Sequence, residues 1–537
     1  MFTTTRRQWQ RQAIALALAP WCLPIAQPQG VARHWKTSPF ALGVASGSPR
    51  ADGVVLWTRL IIDEADRRAG AGSGAGAAAA SGPVAEPATE PVTVRWELFA
   101  DDALRQLVRQ GQVVTDATRG HSVHVPLRDL SAGRDYWYRF TCGDATSAVG
   151  RTRTAPAADA PVQRLRLALA SCQHFEQGQY IAHRDMAEQS LDLVLFVGDY
   201  IYESSNPRFQ IRQHEGPEPM TLEAYRQRYA QYKRDPWLQA SHAARPWVLM
   251  WDDHEVVNDY ANDRDNRYSS REVFLARRAA AYQAYFEHQP VWIGPDPASP
   301  ARASMRLHDR LSWGTLADLW TLDCRQYRDY QACPDPLKGG ARTVMNCAEL
   351  DEPARSMLGR EQEAWLGEGL RASRARWRLI AQSTQISSTS IATPLGRTTF
   401  NDAWDGYPQA RLRLLQTIAD LPERNVVTLG GDVHMNVAAA LRLRPGDSSS
   451  PVVASEFVTT SITSRGLSEN ILSLIRGSNP DLLHARSDER GYTLLDVRPD
   501  VLRAEFRTTA HPAGTQDALS VQAAFQVLAG RPGPLPG

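Results

Sequence analysis

Short apolar runs rich in branched residues recur along the chain, and four of them end at chemically reactive side chains. The runs span residues 165–170, 193–197, 247–251 and 425–429. They lead into Ser171-Cys172-Gln173-His174, Gly198-Asp199-Tyr200-Ile201-Tyr202, Asp252-Asp253-His254-Glu255 and Gly430-Gly431-Asp432-Val433-His434. Continuously apolar runs of this length are typical of buried strands. Since the carboxyl ends of parallel strands meet at one side of a sheet, we expect the four strand ends to share one edge of one sheet.

The segments around these runs predict two kinds of domain. Residues 92–98, 121–125 and 136–140 alternate apolar and polar positions, as half-buried strands do. Residues 38–155 are therefore expected to form a small β-sandwich. From residue 164 onward strands alternate with helices, which indicates an α/β catalytic domain over residues 162–530.

Two helices are clear in the α/β part. Residues 270–288 carry Phe274, Ala281 and Tyr285 on one face, and Ser269 with Glu272 fits a capping box. Residues 360–372 predict a second helix. The polar segment between residues 202 and 221 is expected to be a surface loop over the site, and the last residues are expected to be loosely held.

The amino terminus has the pattern of an export signal. Arg6 and Arg7 precede an apolar run at residues 13–19, and a cut near Ala26 is plausible. That run is far shorter than the ~20 apolar residues needed to span a bilayer. Residues 1–30 are therefore predicted to be a cleaved twin-arginine signal. The translocase of that route would be a partner during export, and the mature protein would be periplasmic or secreted.

Composition limits the functions to consider. A chain of 537 residues exceeds what one hydrophobic core usually supports, so at least two domains are expected. The hydrophobic fraction of 43% is that of a globular protein. The formal net charge of +1 provides no electrostatic argument for nucleic acid or an anionic membrane as a partner.

Cysteine placement adds one candidate crosslink. Cys333 and Cys347 flank a loop that contains Pro and Gly, and they could close a disulfide in an oxidising compartment, although spacing leaves the connectivity open. Cys142 and Cys324 are expected to be packed thiols. Cys172 differs from them because it follows a predicted strand beside the other candidate ligands.

The four strand ends contain the ligand types of a metal centre with two cations. Asp199 is suited to bridge two cations, because a carboxylate has two oxygens. Cys172 and Tyr202 favour a strong Lewis acid such as ferric iron. Asp253 and Asp432 offer hard oxygens to a second cation such as calcium, magnesium or manganese. The predicted metal ligands are Cys172, Asp199, Tyr202, Asp253, Asp432 and His434.

Such a site would suit the hydrolysis of phosphate esters. Bound cations acidify water and neutralise the charge on a transferred phosphoryl group. His254 would contact the substrate or protonate the leaving oxygen. Arg325 and Arg328 could grip phosphate oxygens. They could equally be structural ion-pair partners, and the sequence leaves both roles open.

At these residues the sequence resembles the PhoD-like alkaline phosphatase family, which is related to the purple acid phosphatases among the metallophosphoesterases. The resemblance covers nearly the whole mature chain. It is strongest at residues 42–60, 170–173, 197–202, 251–256, 274–288, 323–328, 404–408, 430–434 and 456–462.

The resemblance implies a fold, a metal pair and an activity. The expected fold is an immunoglobulin-like β-domain followed by a four-layer αββα metallophosphoesterase core. Ferric iron would bind Cys172, Asp199, Tyr202 and His434, and calcium would bind Asp199, Asp253 and Asp432, with His254 facing the phosphate. The implied activity is that of an exported phosphomonoesterase and phosphodiesterase that works at alkaline pH.

Two alternatives remain at this point. The same core could serve a phospholipase D-like phosphodiesterase that acts on lipid or polymer diesters. The chain could also be a non-catalytic binding protein that keeps the fold, but such a protein would be expected to lose some ligand types, and every ligand type is present here.

Overall fold

A computed structural model describes residues 33–63, 91–292 and 304–537. The predicted signal at residues 1–30 lies outside the described residues, and so does the low-complexity Gly/Ala segment at residues 69–83, which the sequence suggests is a flexible insertion. No helix of the described residues combines the length and the apolar character needed to cross a membrane.

Twenty-five strands run through the described ranges. In chain order they are β1 (Val44–Arg50), β2 (Gly53–Arg59), β3 (Val92–Phe99), β4 (Leu107–Thr115), β5 (Ser122–Leu127), β6 (Asp135–Cys142), β7 (Ala145–Thr146), β8 (Gly150–Arg153), β9 (Leu165–Ala170), β10 (Leu193–Val197), β11 (Trp247–Met250), β12 (Asp309–Trp313), β13 (Ala317–Thr321), β14 (Thr343–Met345), β15 (Trp377–Ala381), β16 (Ile391–Thr393), β17 (Gly396–Phe400), β18 (Val426–Gly430), β19 (Asn436–Arg442), β20 (Val452–Val458), β21 (Leu482–Arg486), β22 (Glu489–Val497), β23 (Val501–Ala510), β24 (Ser520–Leu528) and β25 (Arg531–Pro536).

The α-helices of the described chain are fewer than the strands, and all of them lie after residue 161. In chain order they are α1 (Ile181–Glu188), α2 (Leu222–Lys233), α3 (Pro236–Ala244), α4 (Arg271–His288), α5 (Arg360–Ala372), α6 (Pro408–Ala419) and α7 (Glu469–Ser478). The protein is therefore a mixed α/β fold with several sheets and few helices.

Two large sheets form the centre of the molecule. One has ten strands in the order β25-β24-β23-β22-β9-β10-β11-β1-β2-β5, and the other has seven in the order β12-β13-β15-β18-β20-β19-β21. A small sheet of β14, β17 and β16 and a five-stranded sheet of β3, β4, β6, β7 and β8 complete the set. Strands β9, β10 and β11 are parallel neighbours, so their carboxyl ends point the same way.

Strand β10 explains why the two sheets face each other. Its side chains alternate between the two faces of the sheet. Leu193, Leu195 and Val197 share a buried cluster with residues of the seven-stranded sheet. Val194 and Phe196 pack on the other side against residues of α1 to α4. Helices α5 and α6 pack in the same way against the outer face of the seven-stranded sheet. Both faces of the strand are buried, which is why its sequence is continuously apolar.

The amino-terminal strands belong to two sheets at once. Strands β1, β2 and β5 share a core with the five-stranded sheet, and that core contains Leu56, Leu98 and Tyr138. Strand β1 also lies parallel to β11, with Gly47 beside Trp247. One sheet of the amino-terminal sandwich therefore continues into the ten-stranded sheet. The pattern of apolar and polar positions in residues 38–155 did not predict this continuation.

Two local expectations are wrong. The last residues are not loosely held, because β24 pairs with β23 over most of its length and β25 pairs with β24. The helix expected from residue 270 is present as α4, but its N-cap is Ser270, whose Oγ accepts a hydrogen bond from the backbone N–H of Val273. Ser269 instead donates its hydroxyl to Asp265. A cap depends on backbone angles that the sequence pattern places only to within a residue or two.

The cysteine predictions are confirmed. Cys333 and Cys347 form a disulfide with a Cα–Cα distance of 6.1 Å. Cys142 and Cys324 are free and buried. Cys172 is also free and buried, and it lies at the carboxyl end of β9 beside the other candidate ligands.

Candidate metal centre

Two groups of ligand atoms meet where the predicted strands end. Ligand atoms of Cys172, Asp199 and His434 lie within 4.8 Å of one another. Asp199, Asp253 and His254 form a second group by the same measure. Asp199 belongs to both groups, which is the position that a bridging carboxylate needs.

The expectation that all four strand ends lie on one sheet is wrong. Strands β9, β10 and β11 belong to the ten-stranded sheet, whereas β18, which leads to Asp432 and His434, belongs to the seven-stranded sheet. The two sheets approach closely here, since a Cβ added at Gly431 would lie 2.5 Å from Ser171 Oγ. Buried strands of both sheets are equally apolar, so the sequence could not assign them to separate sheets.

Four of the candidate ligands have a left-handed backbone. The φ angle is 58° at Cys172, 58° at Asp199, 64° at Asp432 and 52° at His434. Non-glycine residues pay roughly 1–3 kcal/mol for this conformation, and it persists only where the surrounding structure imposes it. The backbone is thus bent at the ends of β9, β10 and β18, where these four residues lie.

Glu255 imposes part of this bend. Its carboxylate accepts hydrogen bonds from the backbone N–H groups of Tyr200 at 2.6 Å, Asp252 at 2.8 Å and Asp199 at 3.2 Å. Burial first, opposed by these hydrogen bonds, raises the pKa of Glu255 to about 7. Glu255 thereby ties the end of β10 to the end of β11.

Tyr202 lies between Asp199 and His434, two members of the first group. Its phenol donates to Asp199 Oδ2 at 2.8 Å and lies 3.1 Å from His434 Nε2. Ser464, which the sequence did not single out, donates its hydroxyl to Tyr202 Oη at 2.8 Å. A lone Ser in a polar loop carries no signal by which sequence reasoning could have found it.

His434 is held in the tautomer that a metal ligand needs. Its Nδ1 lies 2.7 Å from the carbonyl oxygen of Arg465. A carbonyl can only accept, so Nδ1 carries the proton and the Nε2 lone pair is free on the side of Tyr202. Burial, together with Arg490, lowers the pKa of His434 to about 3, which keeps the ring neutral.

The electrostatics of the centre favour bound cations. Burial raises the pKa of Asp199 and Asp432 well above their usual range, and neighbouring acidic groups add to the shift. Burial and the charge of Asp199 raise the pKa of Cys172 and Tyr202 in the same way. Asp199 Oδ1 is buried and has no hydrogen-bond partner among the described residues. A crowded set of potential anions with an orphaned carboxylate oxygen fits metal ions.

Of the two oxygen donors predicted for the second cation, Asp253 joins Asp199 in the second group, whereas Asp432 belongs to neither group of ligand atoms found among the described residues. Asp253 Oδ1 accepts from the backbone N–H of His254 at 2.9 Å, and Oδ2 accepts from that of Asp259 at 2.6 Å. Asp432 Oδ2 accepts from Thr384 Oγ1 at 2.8 Å. These bonds fix the carboxylate planes, as partners of metal ligands do.

His254 has a partner that sequence reasoning missed. Its Nδ1 lies 2.6 Å from Glu203 Oε2, and the other oxygen of Glu203 accepts from the backbone N–H of Asn258. Burial lowers the pKa of His254, but Glu203, Asp253 and Asp199 outweigh burial and raise it well above its usual range. Only the position of Glu203, directly after Tyr202, could have drawn attention to it.

Arg325 and Arg328 occupy the second of the two roles that the sequence left open. Arg325 is 1% exposed, with Nε 2.5 Å from Asp252 and Nη1 2.7 Å from Asp402. Arg328 is fully buried and also binds Asp402. The nearest contact of Arg325 with a candidate ligand is 3.7 Å, to Asp253 Oδ2. This geometry favours ion pairing behind the centre over gripping a substrate phosphate.

Comparison with known proteins places the whole chain in one family. The family model described as PhoD-like phosphatase matches residues 167–506, and the one described as PhoD-like phosphatase, N-terminal domain, matches residues 25–156. Alkaline phosphatase D of Bacillus subtilis (strain 168) is 39% identical over 536 residues, which is 97% of this chain and 87% of that protein. A solved structure of PhoD aligns at 38% identity with a TM-score of 0.84, over 94% of this chain and 93% of that chain. The chain belongs to the PhoD-like phosphatase family.

Proposed function

We propose that this chain is an exported, metal-dependent phosphoesterase that hydrolyses phosphate esters of small molecules or polymers. Family membership supports phosphatase chemistry. The observation that carries metal dependence is that buried Asp199 Oδ1, on the carboxylate shared by both ligand groups, has no hydrogen-bond partner in the part of the chain that the structure describes. The signal pattern at residues 1–30 supports export to the periplasm or the medium.

The donor set supports two different cations. Cys172, Asp199, Tyr202 and His434 would hold ferric iron, because a thiolate and a phenolate suit a strong Lewis acid. Asp199, Asp253 and Asp432 would hold calcium through carboxylate oxygens. When bound, the cations would acidify a water molecule and offset charge on the phosphoryl group.

The chain's own residues have two tasks in this mechanism. Hydrogen bonds with Tyr202 and Glu255 fix the position of Asp199, whose carboxylate belongs to both ligand groups. His254 holds a proton at its free Nε2 for the leaving oxygen, while Glu203 fixes the ring through Nδ1 and favours the charged form. Arg325 holds the Asp252–Asp253 turn in place through its ion pairs with both carboxylates.

Two structural features belong to the same proposal. We infer that the paired sheets with helices on both outer faces are the four-layer αββα core of a metallophosphoesterase. The amino-terminal sandwich would be the immunoglobulin-like domain. The buried clusters on each side of the two sheets support this assignment.

The decisive experiment combines metal analysis, spectroscopy and kinetics on protein exported by its native route. We expect iron and calcium by elemental analysis, and a visible band from phenolate bound to ferric iron that is lost in Tyr202→Phe. Turnover of p-nitrophenyl phosphate and of bis(p-nitrophenyl) phosphate would separate a monoesterase from the phospholipase D-like alternative. Protein that lacks metal and hydrolyses neither substrate after calcium addition contradicts the proposal and favours a non-catalytic role.

A further inference from the structure

We infer that Arg490 is a positioning residue for the proposed iron site. Its guanidinium holds His434, which comes from one sheet, in place relative to Cys172 and Tyr202, which come from the other. The inference rests on the proposed function, because it concerns the residues that iron would bind. Arg490 lies on β22 and is not itself a candidate ligand.

Arg490 is a buried cation whose hydrogen-bond acceptors are all uncharged. Its side chain is 2% exposed, and no Asp or Glu of the described ranges pairs with it. Its acceptors are instead two backbone carbonyl oxygens and two hydroxyl oxygens. Burying a charge is costly unless its N–H groups are bonded, so these acceptors hold the guanidinium and are held by it in return.

The carbonyl oxygen of His434 is the first of these acceptors. Arg490 Nη1 donates to it at 3.0 Å, and Ser487 Oγ donates to it at 2.9 Å. Arg490 Nη2 also donates to the carbonyl oxygen of Ser487 at 2.7 Å. The φ angle of 52° at His434 is left-handed, and the surrounding structure must impose it. Arg490 therefore helps to fix the backbone of His434, while the Arg465 carbonyl oxygen fixes its ring.

The hydroxyl acceptors lie on residues 460–464, a segment that follows β20. Arg490 Nη1 donates to Thr460 Oγ1 at 2.7 Å and to Ser461 Oγ at 3.3 Å. The backbone of β22 binds the same segment, because the N–H of Gly491 donates to the Ser461 carbonyl oxygen at 2.9 Å. One arginine thus contacts both His434 and this segment.

The segment in turn contacts two further candidate ligands. The backbone N–H of Ile462 donates to the carbonyl oxygen of Ser171 at 2.9 Å, which places the segment at the carboxyl end of β9. Ser464 Oγ lies 2.8 Å from Tyr202 Oη and 2.8 Å from the carbonyl oxygen of Cys172. The segment that the guanidinium holds therefore lies directly against both of these ligands.

Arg490 connects ligands that come from different sheets. Strand β22 belongs to the ten-stranded sheet, where it pairs with β9, whereas His434 follows β18 of the seven-stranded sheet. The hydrogen bonds within either sheet cannot fix one sheet relative to the other. The hydrogen bond from Arg490 to the His434 carbonyl oxygen does so at the point where the proposed iron ligands meet.

The carboxylates proposed for calcium are held by other groups. Asp253 accepts from two backbone N–H groups, and Asp432 accepts from Thr384 Oγ1. None of these three hydrogen bonds involves Arg490. Loss of the Arg490 guanidinium should therefore weaken iron binding much more than calcium binding.

The test measures iron and calcium binding separately in Arg490→Gln. Metal-free protein is titrated with ferric citrate, and the visible phenolate band reports the bound iron. Calorimetry on the same metal-free protein measures calcium binding. We expect the iron affinity to fall about 10–100-fold, the usual cost of losing a partner of a metal ligand, while the calcium affinity stays within about threefold of wild type.

Arg378 provides the matched control. It is also buried, at 4% exposed, and its nitrogens donate to the carbonyl oxygens of Leu370 and Ser373 without an ion pair in the described chain. It lies beside Val426, the first residue of β18, at the opposite end of that strand from His434. Arg378→Gln should lower the melting temperature as the test variant does, but it should leave the iron affinity unchanged.

Two further variants separate the geometry of the guanidinium from its charge and from a folding defect. Arg490→Lys keeps the charge but lacks the planar fork of N–H groups, so we expect the iron affinity to recover only in part. Thr460→Val removes one acceptor with little change in volume, and we expect it to lower the iron affinity by less than about tenfold. If Arg490→Gln does not fold, these two variants decide the question.

The outcomes distinguish the possible failures. Full iron affinity in Arg490→Lys, an equal loss of iron and calcium in Arg490→Gln, or the same loss of iron in Arg378→Gln would each overturn the role of Arg490. If wild type takes up no iron, the proposed function itself fails. If wild type takes up iron and the variants at Arg490 and Thr460 match it, only the role of Arg490 is wrong.

Discussion

Two clusters of buried charge lie next to each other in this protein, and they differ in balance. In the candidate metal centre Cys172, Asp199, Tyr202 and Asp432 are all potential anions, and burial raises the pKa of each. Behind it, Arg325 and Arg328 face Asp252 and Asp402, and every one of these side chains has an opposite charge within 3 Å.

Both clusters contain buried aspartates, so residue type alone does not distinguish them, whereas charge balance does. In the balanced cluster each charge is paired with an opposite charge of the protein, so an added cation would find no unpaired carboxylate there. The unbalanced cluster leaves Asp199 Oδ1 without a partner among the described residues. Buried carboxylates in such a state must be protonated or neutralised by cations.

The largest expected effect is in the unbalanced cluster. Asp199→Ala removes the shared carboxylate, so hydrolysis should fall by at least about 10³-fold, metal should be lost, and the fold should be retained, because the change also removes a buried charge. Activity assays and elemental analysis measure this. The matched control is Asp185→Ala, which breaks a pair with Arg507 away from the centre. Wild-type metal content or full activity in Asp199→Ala would contradict the assignment.

The balanced cluster should respond in stability rather than in metal binding. Arg325→Met leaves Asp252 and Asp402 buried without their cation, and we expect a loss of about 3–5 kcal/mol in the free energy of unfolding. Arg486→Met, which breaks an exposed pair with Asp488, should cost under about 1 kcal/mol. Urea denaturation measures both. An Arg325→Met protein of normal stability with a raised KM would return Arg325 to the role of a phosphate-binding residue.

His254 lies next to Asp253, between the two clusters. A variant at His254 therefore tests whether activity can be lost without loss of metal. His254→Ala should lower kcat by about 10²-fold, because a proton donor is lost, while iron and calcium stay bound. Steady-state kinetics with elemental analysis on the same sample would show the split. A loss of metal in proportion to activity would instead make His254 a ligand.

The smallest effect is a difference in pH response between the carboxylates around the candidate metal centre and Asp402 of the balanced cluster; burial raises the pKa of Asp252 as well, so the contrast rests on Asp402 alone. Burial raises the folded pKa of Asp199, Asp432 and Glu255, the last to about 7, so metal-free protein should gain stability as pH falls from about 8 to 5. Burial also acts on Asp402, but Arg325 and Arg328 outweigh it and lower its pKa, so its contribution is lost only below its unfolded pKa of about 4.

Calorimetry of metal-free protein at pH 8 and pH 5 measures this difference. We expect wild type to melt at least ~2 °C higher at pH 5, with a smaller rise in Asp199→Asn, where one of the titrating groups is gone. A melting temperature that falls from pH 8 to pH 5 would mean that the buried carboxylates of the centre do not destabilise the metal-free protein when they are charged.

Sequence reasoning selected most of the residues that meet in the candidate metal centre, because the signal for each of them is local in the chain. Each candidate ligand follows an apolar run by two to five residues, and the chemistry of Cys172, Asp199 and His434 can be read directly from the residue types. It missed Glu203, Ser464 and Thr384, whose partners lie 51, 262 and 48 residues away. Contacts at such separations leave no periodic pattern in the chain.

The sequence by itself determined the strand ends, the donor types and the α/β class of the catalytic part, whereas the structure settled the Cys333–Cys347 disulfide that the sequence left open. The tertiary structure decided that the candidate ligands come from two facing sheets. It also decided that the guanidinium of Arg325 pairs with Asp252 and Asp402. The final strands, β24 and β25, pair into the edge of the ten-stranded sheet. The physical reason is that apolar periodicity and residue chemistry are properties of neighbours in the chain. Charge balance and sheet membership depend on which distant segments of the chain fold against each other.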